Sequence, residues 1–566
     1  MTDALSTVGR WIANPRYFLL EEAVLLCLLA AAAAAPWLSN GLAGIESAAG
    51  RFARRQRLAC VVGGLAPVLL RILLLPLFPV PQAQIHDEFS LLLGADTFAH
   101  GRVTNPSPTN REHFETFHTL VEPTYMSIYP PAQALVLGAG QVLGHPWIGV
   151  LITVASMGAA ITWMLQGWLP PGWALLGGVL AGARYGLFSY WVNSYWGGAL
   201  AAAGGAIVLG VAGRVWRRSA FRPSLGVMAG LGAAILVNRR PYEGAVLCAS
   251  AAALILVRWS RSGKHRILPF SAGASAVLTV ALAAVLYFNW RVTGSPVRMP
   301  YVEGIERYGV ARHLIVLPSA PEPSYRHATM RNFYRWEMET YRARRTRPIT
   351  TFLDYAVGLW TFYAGPSLSV AFLGIAALWR SRRIRPLLAM GLAALVAASL
   401  EVWLPPHYAA PWTALGVALL VAMLRHLHYT FRSGAAIVRA CVVCAFGMLL
   451  LPVASQSMGW QWPATFTGWW HIKHDWDRRE VERRVLADPG KHLVVVRYLP
   501  GHNLHDEYVF NGADLDGPRV VWARSLGPDK DRRLIEYYGE RKSWLLEAGE
   551  GPVQLFPYKV PVKNTD

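Results

Sequence analysis

Apolar residues along this chain fall in long blocks that short charged stretches separate. A bilayer core about 30 Å thick needs roughly 20 apolar helical residues to cross it. About a dozen blocks meet or approach that length, for example residues 58–80 and 268–290. The pattern predicts a polytopic α-helical membrane protein of about 12 spans. The apolar segment 130–143 is too short to cross, so we expect a juxtamembrane or re-entrant helix on the outer side.

The pattern changes after Gln456, where apolar blocks give way to alternation. Segments 491–499, 518–524 and 543–547 are typical of strands, and segment 532–541 is typical of a helix. We therefore predict three parts. Residues 1–57 form an N-terminal helix and a basic loop, residues 58–455 a membrane domain, and residues 456–566 a small α/β domain.

Basic residues concentrate in short loops between the apolar blocks. The chain has a formal net charge of +20 and is 54% hydrophobic. Arginine-rich loops without acidic residues are the signature of cytoplasmic loops, and this interpretation argues against a nucleic-acid partner. The five basic loops cover 51–57, 214–222, 258–266, 380–385 and 425–432. Placing them inside leaves loop 81–128, loop 291–350 and the C-terminal domain outside.

The first outer loop carries acidic residues where a span ends. In I-H-D-E-F-S, residues 85–90, Asp87 is a plausible N-cap and Glu88 stands in the first helical turn. Phe89 and its apolar neighbours share one face, so an amphipathic helix on the membrane is expected to end near Gly101. The two acids either cap this helix or supply a carboxylate that accepts a proton from an acceptor group.

Several motifs in the membrane half resemble those of GT-C fold membrane glycosyltransferases, especially the protein O-mannosyltransferases and the lipid A aminoarabinose transferases. They are the Asp87–Glu88 pair, Gly101, Pro106, the run Tyr129, Pro130 and Pro131, and H-Y-A-A-P at 407–411. An uncharacterised bacterial subgroup shares the R-P-Y-E and V-V-W-A-R segments. The resemblance implies a polyprenyl-phosphate-linked sugar donor, inversion at the anomeric carbon, and Asp87 as general base. It also implies a bacterial inner membrane protein that acts on an extracytoplasmic glycan, lipid or protein acceptor.

Two positions depart from that family pattern. Asn193 stands where members often have Asp, and Tyr129 stands where some have a Lys before Pro-Pro. The cation for the donor phosphate must then come from elsewhere. Arg239 and Arg240 precede a helix that begins near Pro241, so their guanidiniums and the helix-end amides can face one phosphate.

Glu243 is placed to orient one of these arginines. The alternative is that both arginines reach lipid headgroups. Trp196, His407 and Tyr408 are candidates for contacts with the sugar, although aromatic residues are also common at membrane interfaces.

The first outer loop is rich in histidine, at positions 86, 100, 113 and 118. Their spacing forms no known ligand motif, so we expect scattered surface histidines and require no metal. Should a divalent metal bind, His86, Asp87 and Glu88 mark the place. The repeated H-D-E at 505–507 is taken as coincidence.

Two other functions stay open. A lipid or glycoconjugate transporter needs charged residues within spans, for which Arg71 and Arg184 are candidates. A catalytically silent cell-envelope assembly protein would tolerate loss of Asp87, whereas a glycosyltransferase would not.

Overall fold

The computed structural model describes residues 15–34, 36–262, 267–459 and 478–559. The first 14 residues, and Lys264 and Arg266 of the third basic loop, lie outside these ranges. Eight of the described helices are long and apolar enough to cross a membrane. They are Tyr17–Ala34, Gln56–Leu73, Pro146–Trp168, Ala199–Arg218, Pro241–Arg261, Ile267–Thr293, Ala410–Thr430 and Gly434–Met458.

The eight long apolar helices among the described residues are fewer than the predicted 12 or so spans. A ninth span exists if Pro348–Tyr363 and Gly365–Gly374, which meet at 98°, count as one. Three further apolar helices are shorter: Ala132–Val142, Pro223–Val237 and Arg385–Ser399. At about 1.5 Å per residue, even a 15-residue helix covers only about 22 Å. The described helices therefore do not show a count of about 12 spans.

Local sequence explains where the helices begin and how closely they pack. Pro146, Pro223 and Pro348 each stand in the first turn of their helix, where proline has no hydrogen bond to lose. A Cβ on Gly158 would lie 2.1 Å from the carbonyl oxygen of Gly63. Glycine at such contacts lets two membrane helices approach backbone to backbone.

The first outer helix, His86–Ala99, differs from its expected setting. Its N-cap is Ile85, so Asp87 lies within the first turn and is not the cap. Gly101 follows the helix end with φ +69°, as expected. Both faces are buried, and Phe89 stacks on Phe510 of the C-terminal domain with ring centroids 4.5 Å apart. The helix is therefore covered by protein and is not an amphipathic surface helix.

The C-terminal region forms a four-stranded sheet with two helices, one before the first strand in sequence and one between the second and third strands. The sheet order is Val520–Arg524, His492–Tyr498, Lys542–Ala548 and Gln554–Pro557; the first three strands are parallel and the last is antiparallel. The helices are Arg478–Leu486 and Pro528–Tyr537. The three predicted strands are present, whereas the first helix and the last strand were not predicted.

This sheet domain packs directly on the first outer loop. Leu93 and Tyr125 of the loop share an apolar core with Leu493 and Val521 of the sheet. Arg524 is buried, forms an ion pair with Glu507, and donates from Nε to the backbone oxygen of Glu115 at 2.5 Å. The two regions therefore form one continuous structure.

Loop 291–350 is also ordered into helices, Pro300–Tyr308 and Ala328–Thr346. Arg326 pairs with Glu115 of the first outer loop at 2.7 Å, and Tyr334 stacks between Tyr308 and Tyr325. The second outer segment therefore packs over the first.

The other helices complete the membrane half and the outer loop. They are Pro36–Ala53, Pro171–Gly186, Ala376–Arg380 and the short 3-10 helix Arg111–His113. Short strands Asn105–Pro106, Thr124–Ser127 and Thr119–Leu120 form an antiparallel sheet beside the His86–Ala99 helix, in that order.

Candidate active site

Two adjoining cavities, of about 290 and 260 Å³, lie between the outer loops and the ends of the apolar helices. Six residues line both cavities: Asp87, Tyr129, Trp196, Tyr301, His313 and Tyr408. Convergent polar groups on such a concave, largely aromatic wall are typical of a ligand site.

Asp87 is held by hydrogen bonds on the wall between the cavities. The Tyr129 hydroxyl donates to its Oδ1, and His86 Nδ1 lies 3.1 Å from its Oδ2. Burial acts to raise the pKa of Asp87, but His118, His86 and Tyr129 outweigh it and hold the pKa well below its usual range. The carboxylate is therefore ionised at neutral pH and positioned as an acceptor.

His118 adopts a left-handed backbone, with φ +57°. Its carbonyl accepts from Ser90 Oγ at 2.6 Å and from the Ile128 amide at 3.1 Å, and these bonds fix the turn. The turn brings the His118 ring to 4.9 Å from that of His86. The expectation of scattered surface histidines is wrong for these two residues.

His86, Asp87 and His118 each offer one ligand atom within 4.8 Å of the others. Two imidazoles and a carboxylate suit Zn²⁺ or a similar divalent ion. His86 Nε2 is buried and has no hydrogen-bond partner in the described parts of the chain. The residue types and geometry therefore fit a divalent metal, whereas Glu88 is not part of this group.

Glu88 has a structural role, because its carboxylate accepts hydrogen bonds from three backbone amides. Its Oε2 accepts from the amides of Gln84 and Ile85, at 2.8 and 3.2 Å, and its Oε1 accepts from the Tyr195 amide at 2.9 Å. Burial raises its pKa to about 7 against these donors. Glu88 is not among the residues that line either cavity. It joins the start of the His86–Ala99 helix to the backbone at Tyr195, which favours the capping interpretation for this residue.

Arg239 and Arg240 both line the smaller cavity. Arg239 is buried and donates to the carbonyls of Trp196 and Gly197 at 2.6 and 3.2 Å. The Arg240 guanidinium lies over the Tyr408 ring, 3.7 Å from its centroid, and 3.9 Å from Glu243. The Nε of each arginine is buried without an acceptor in the described chain. The pair therefore faces the cavity and not the lipid.

The other predicted residues separate into two groups. Trp196 and His407 pack ring to ring at 4.3 Å, and both line the larger cavity with Tyr408. Asn193 lies elsewhere, where its Oδ1 accepts from the buried Arg71 at 2.9 and 3.1 Å. Asn193 therefore supports the membrane helices and is not part of the cavity wall.

Sequence reasoning missed residues that long-range folding brings to the cavity. Glu337 and Trp336 reach it from the Ala328–Thr346 helix. Burial and the nearby Asp87 raise the pKa of Glu337 to about 8. His505 comes from the C-terminal domain, with its ring 5.7 Å from His86 and 5.0 Å from Trp336. Glu337 had no sequence signal, whereas the H-D-E run containing His505 was noticed and set aside.

No family model matches this chain, and no curated protein matches it. Similar solved structures are those of the oligosaccharyltransferase of Archaeoglobus fulgidus. The complex with Zn and sulfate has 11% sequence identity and a TM-score of 0.43, and the match covers 86% of this chain and 67% of that one.

The form tethered to an acceptor peptide also has 11% identity, with a TM-score of 0.44 and coverage of 78% and 61%. The complex with an inhibitory peptide and a dolichol-phosphate has 11% identity, a TM-score of 0.38 and coverage of 86% and 69%. Because these TM-scores lie below 0.5, the likeness assigns neither family nor activity to this chain.

Proposed function

We propose that this protein is a membrane glycosyltransferase that moves a sugar from a polyprenyl-phosphate carrier to an acceptor on the extracytoplasmic face. One observation carries the proposal. An ionised carboxylate, Asp87, and a stacked guanidinium, Arg240, line the same cavity. A base and a phosphate-binding cation are the two groups that sugar transfer from a lipid phosphate requires.

In the proposed reaction, an acceptor hydroxyl or amine attacks the anomeric carbon from the face opposite the phosphate. The new bond to the acceptor forms as the bond between the anomeric carbon and the phosphate oxygen breaks, so the configuration inverts. Asp87 takes the acceptor proton, and the leaving phosphate keeps the electron pair. The low pKa of Asp87 keeps it ionised, and the acceptor proton becomes acidic enough to transfer as the new bond forms.

Arg239 and Arg240 would hold the leaving phosphate. Both side chains are already fixed, one by backbone carbonyls and the other by Tyr408. Charged donors that are positioned before the reaction stabilise developing negative charge without reorganising. Trp196, His407 and Tyr408 then form the wall against which the sugar packs.

A divalent ion at His86, Asp87 and His118 would supply positive charge for donor or acceptor oxygens. The steps above depend on this chain's own residues. Ligation of Asp87 by a cation would also fix the direction of its second carboxylate oxygen.

Arg71 and Arg184, the candidate residues for a transport pathway, both bind backbone carbonyls. Arg71 donates to the carbonyls of Phe78 and Pro79 at 2.7 and 3.1 Å, and Arg184 donates to those of Phe362 and Thr361 at 2.9 and 3.0 Å. These arginines join helix ends to neighbouring backbone, which gives both a structural role.

The test is release of polyprenyl phosphate from a panel of lipid-linked sugars by the purified full-length protein. We expect Asp87→Asn to lower turnover by about 100-fold or more, because it removes the base but keeps the shape. Glu112→Gln, in the same loop but away from the cavities, serves as the matched control. Thermal unfolding of each variant in detergent checks that the fold is intact.

Wild-type turnover with one donor, lost in Asp87→Asn and kept in Glu112→Gln, would support both the reaction and the base. Full activity of Asp87→Asn would reject Asp87 as base. Absence of release with every donor would favour the silent assembly protein.

A further inference from the structure

A second cluster of ligand-type side chains lies at the Arg240 end of the cavity. Glu243 stands in the first turn of the Pro241–Ser262 helix, and Glu401 follows the Arg385–Ser399 helix. His313 comes from the segment between two outer helices. The three residues meet, although they are separated by 70 and 88 positions (313 − 243 and 401 − 313) along the chain.

Backbone hydrogen bonds fix His313 beside Glu401. The Val402 amide donates to the His313 carbonyl, and the Ile315 amide donates to the Leu400 carbonyl, both at 2.9 Å. Leu314 and Glu401 form an isolated antiparallel bridge. The position of the two side chains therefore follows from paired backbone and not from loose loop geometry.

The carboxylates in this cluster lack donors. Glu401 is fully buried, Glu243 is 2% exposed, and no hydrogen bond reaches either oxygen of Glu401 or Oε1 of Glu243 from the described residues. The side-chain nitrogens within 4 Å are too far for hydrogen bonds: His313 Nε2 is 3.7 Å from Glu401, and Arg240 is 3.9 Å from Glu243. Buried carboxylates without partners are costly.

The three side chains also form the geometry of a ligand set. One donor atom from each of Glu243, His313 and Glu401 lies within 4.8 Å of the others. Ligand atoms on one cation at bonds of about 2.0 to 2.3 Å are separated by distances of this order. His313 Nδ1 is also without a hydrogen-bond partner in the described chain.

We infer that Glu243, His313 and Glu401 bind a divalent transition-metal cation, with Zn²⁺ and Mn²⁺ as the fitting ions. Two carboxylates and one imidazole provide mixed oxygen and nitrogen ligands, which these ions accept. Mg²⁺ and Ca²⁺ take oxygen ligands, so the imidazole disfavours them. The cluster shares no residue with the His86, Asp87 and His118 group.

A shared proton is the alternative to a cation. A proton on one carboxylate would still leave the other carboxylate and His313 Nδ1 without a partner among the described residues. A cation satisfies both carboxylates and the imidazole at once.

The cation also changes what Arg240 can do, a consequence that rests on the proposed function. Glu243 now faces Arg240 across 3.9 Å. With its charge taken up by a cation, Glu243 no longer competes for the guanidinium. Arg240, which lines the same cavity as Glu243 and His313, is then available to the donor phosphate.

Metal binding is measured on the purified, chelator-treated full-length protein without any lipid donor. Zn²⁺ or Mn²⁺ alone is the probe, with bound metal counted by elemental mass spectrometry and affinity measured by calorimetry. His313→Gln keeps a partly exposed, hydrogen-bonding side chain, and Glu401→Gln keeps the shape of a buried one. His118→Gln is the matched control at the other cluster.

We expect His313→Gln and Glu401→Gln to weaken one class of site by about 100-fold, and His118→Gln to leave that site unchanged. Wild-type protein that binds neither ion would overturn the inference. So would binding that is unchanged in a folded His313→Gln variant. Because no donor is present, this outcome is independent of whether Asp87 catalyses sugar transfer.

Discussion

Asp87, which lines both cavities, and Glu401, which belongs to the neighbouring cluster with Glu243 and His313, have opposite environments. Asp87 accepts a hydrogen bond from Tyr129 and contacts His86, and its pKa lies well below the usual range. Glu401 accepts none in the described chain, and burial, together with Glu243, raises its pKa well above the ordinary value. The same functional group thus accepts a side-chain hydrogen bond at Asp87 and lacks one at Glu401 in the described chain. Neighbours, and not residue type, decide the role of each acid.

The surroundings of Asp87 and those of Glu401 also differ in which parts of the fold hold them in place. The C-terminal domain covers the Asp87 end through Phe510 and His505, whereas Glu243 and Glu401 are held by the membrane helices and the outer segment near His313. A substitution that loosens the C-terminal domain should therefore affect the surroundings of Asp87 more than those of Glu243 and Glu401.

The largest effect is expected from Glu507→Gln. This change leaves the buried Arg524 without its charge partner, and breaking such a pair costs about 3–5 kcal/mol. Hydrogen exchange followed by mass spectrometry should show faster exchange in residues 478–559 and in helix His86–Ala99. An equal increase of hydrogen exchange in helix Pro241–Ser262 would contradict the separate support of the Asp87 and Glu243 regions.

Arg240→Ala should have the next largest effect. Loss of a charged donor to the phosphate costs about 1.5–3 kcal/mol, or roughly 10- to 150-fold in kcat/KM for the donor. Arg240→Lys should recover only part of this loss, because the flat stack on Tyr408 needs a guanidinium. Steady-state kinetics against donor concentration provides the measurement, and full rescue by lysine would argue against the stacked geometry.

Glu337→Gln tests the pH response of the Asp87 end. The pKa of Glu337 is raised from an ordinary 4.5 to about 8, so the folded state favours its protonated form. Its stabilising contribution is present below about pH 4.5 and is lost as the pH rises through 8. The free energy of unfolding of the variant should equal that of wild type near pH 5 and exceed it by about 2 kcal/mol near pH 9. This difference already allows for screening by solvent in the open cavity. Thermal unfolding across that pH range measures the difference.

The smallest effect is expected from Asn193→Asp. The new carboxylate would face Arg71 and form an ion pair outside the cavities. Transfer should stay within about twofold of wild type, which corresponds to about 0.4 kcal/mol. A large gain or loss in turnover would place this position in the active site, as its counterpart in the family pattern suggests.

Sequence predicted the features that depend on local pattern. The apolar blocks, three strands of the C-terminal sheet, the stop at Gly101 and the arginine pair before Pro241 all follow from neighbouring residues. The residues around Asp87 were harder to predict from sequence. His118 reaches it through a left-handed turn, Glu337 from a distant helix and His505 from a loop of the C-terminal sheet domain. Glu401 and His313 meet only through pairing of two segments far apart in the chain. Such contacts leave no periodic signal in one sequence.

His505 reaches the cavity from the last part of the chain, more than 400 positions after His86 (505 − 86 = 419). A nascent chain that has already inserted its apolar helices still lacks this wall and the sheet that covers Asp87. The cavity is complete only when residues 478–559 have been synthesised and have folded back over the first loop. Synthesis of the sheet domain thus becomes a condition for a finished cavity, and membrane products truncated before it would carry the Asp87 carboxylate without His505 and the strands that follow it.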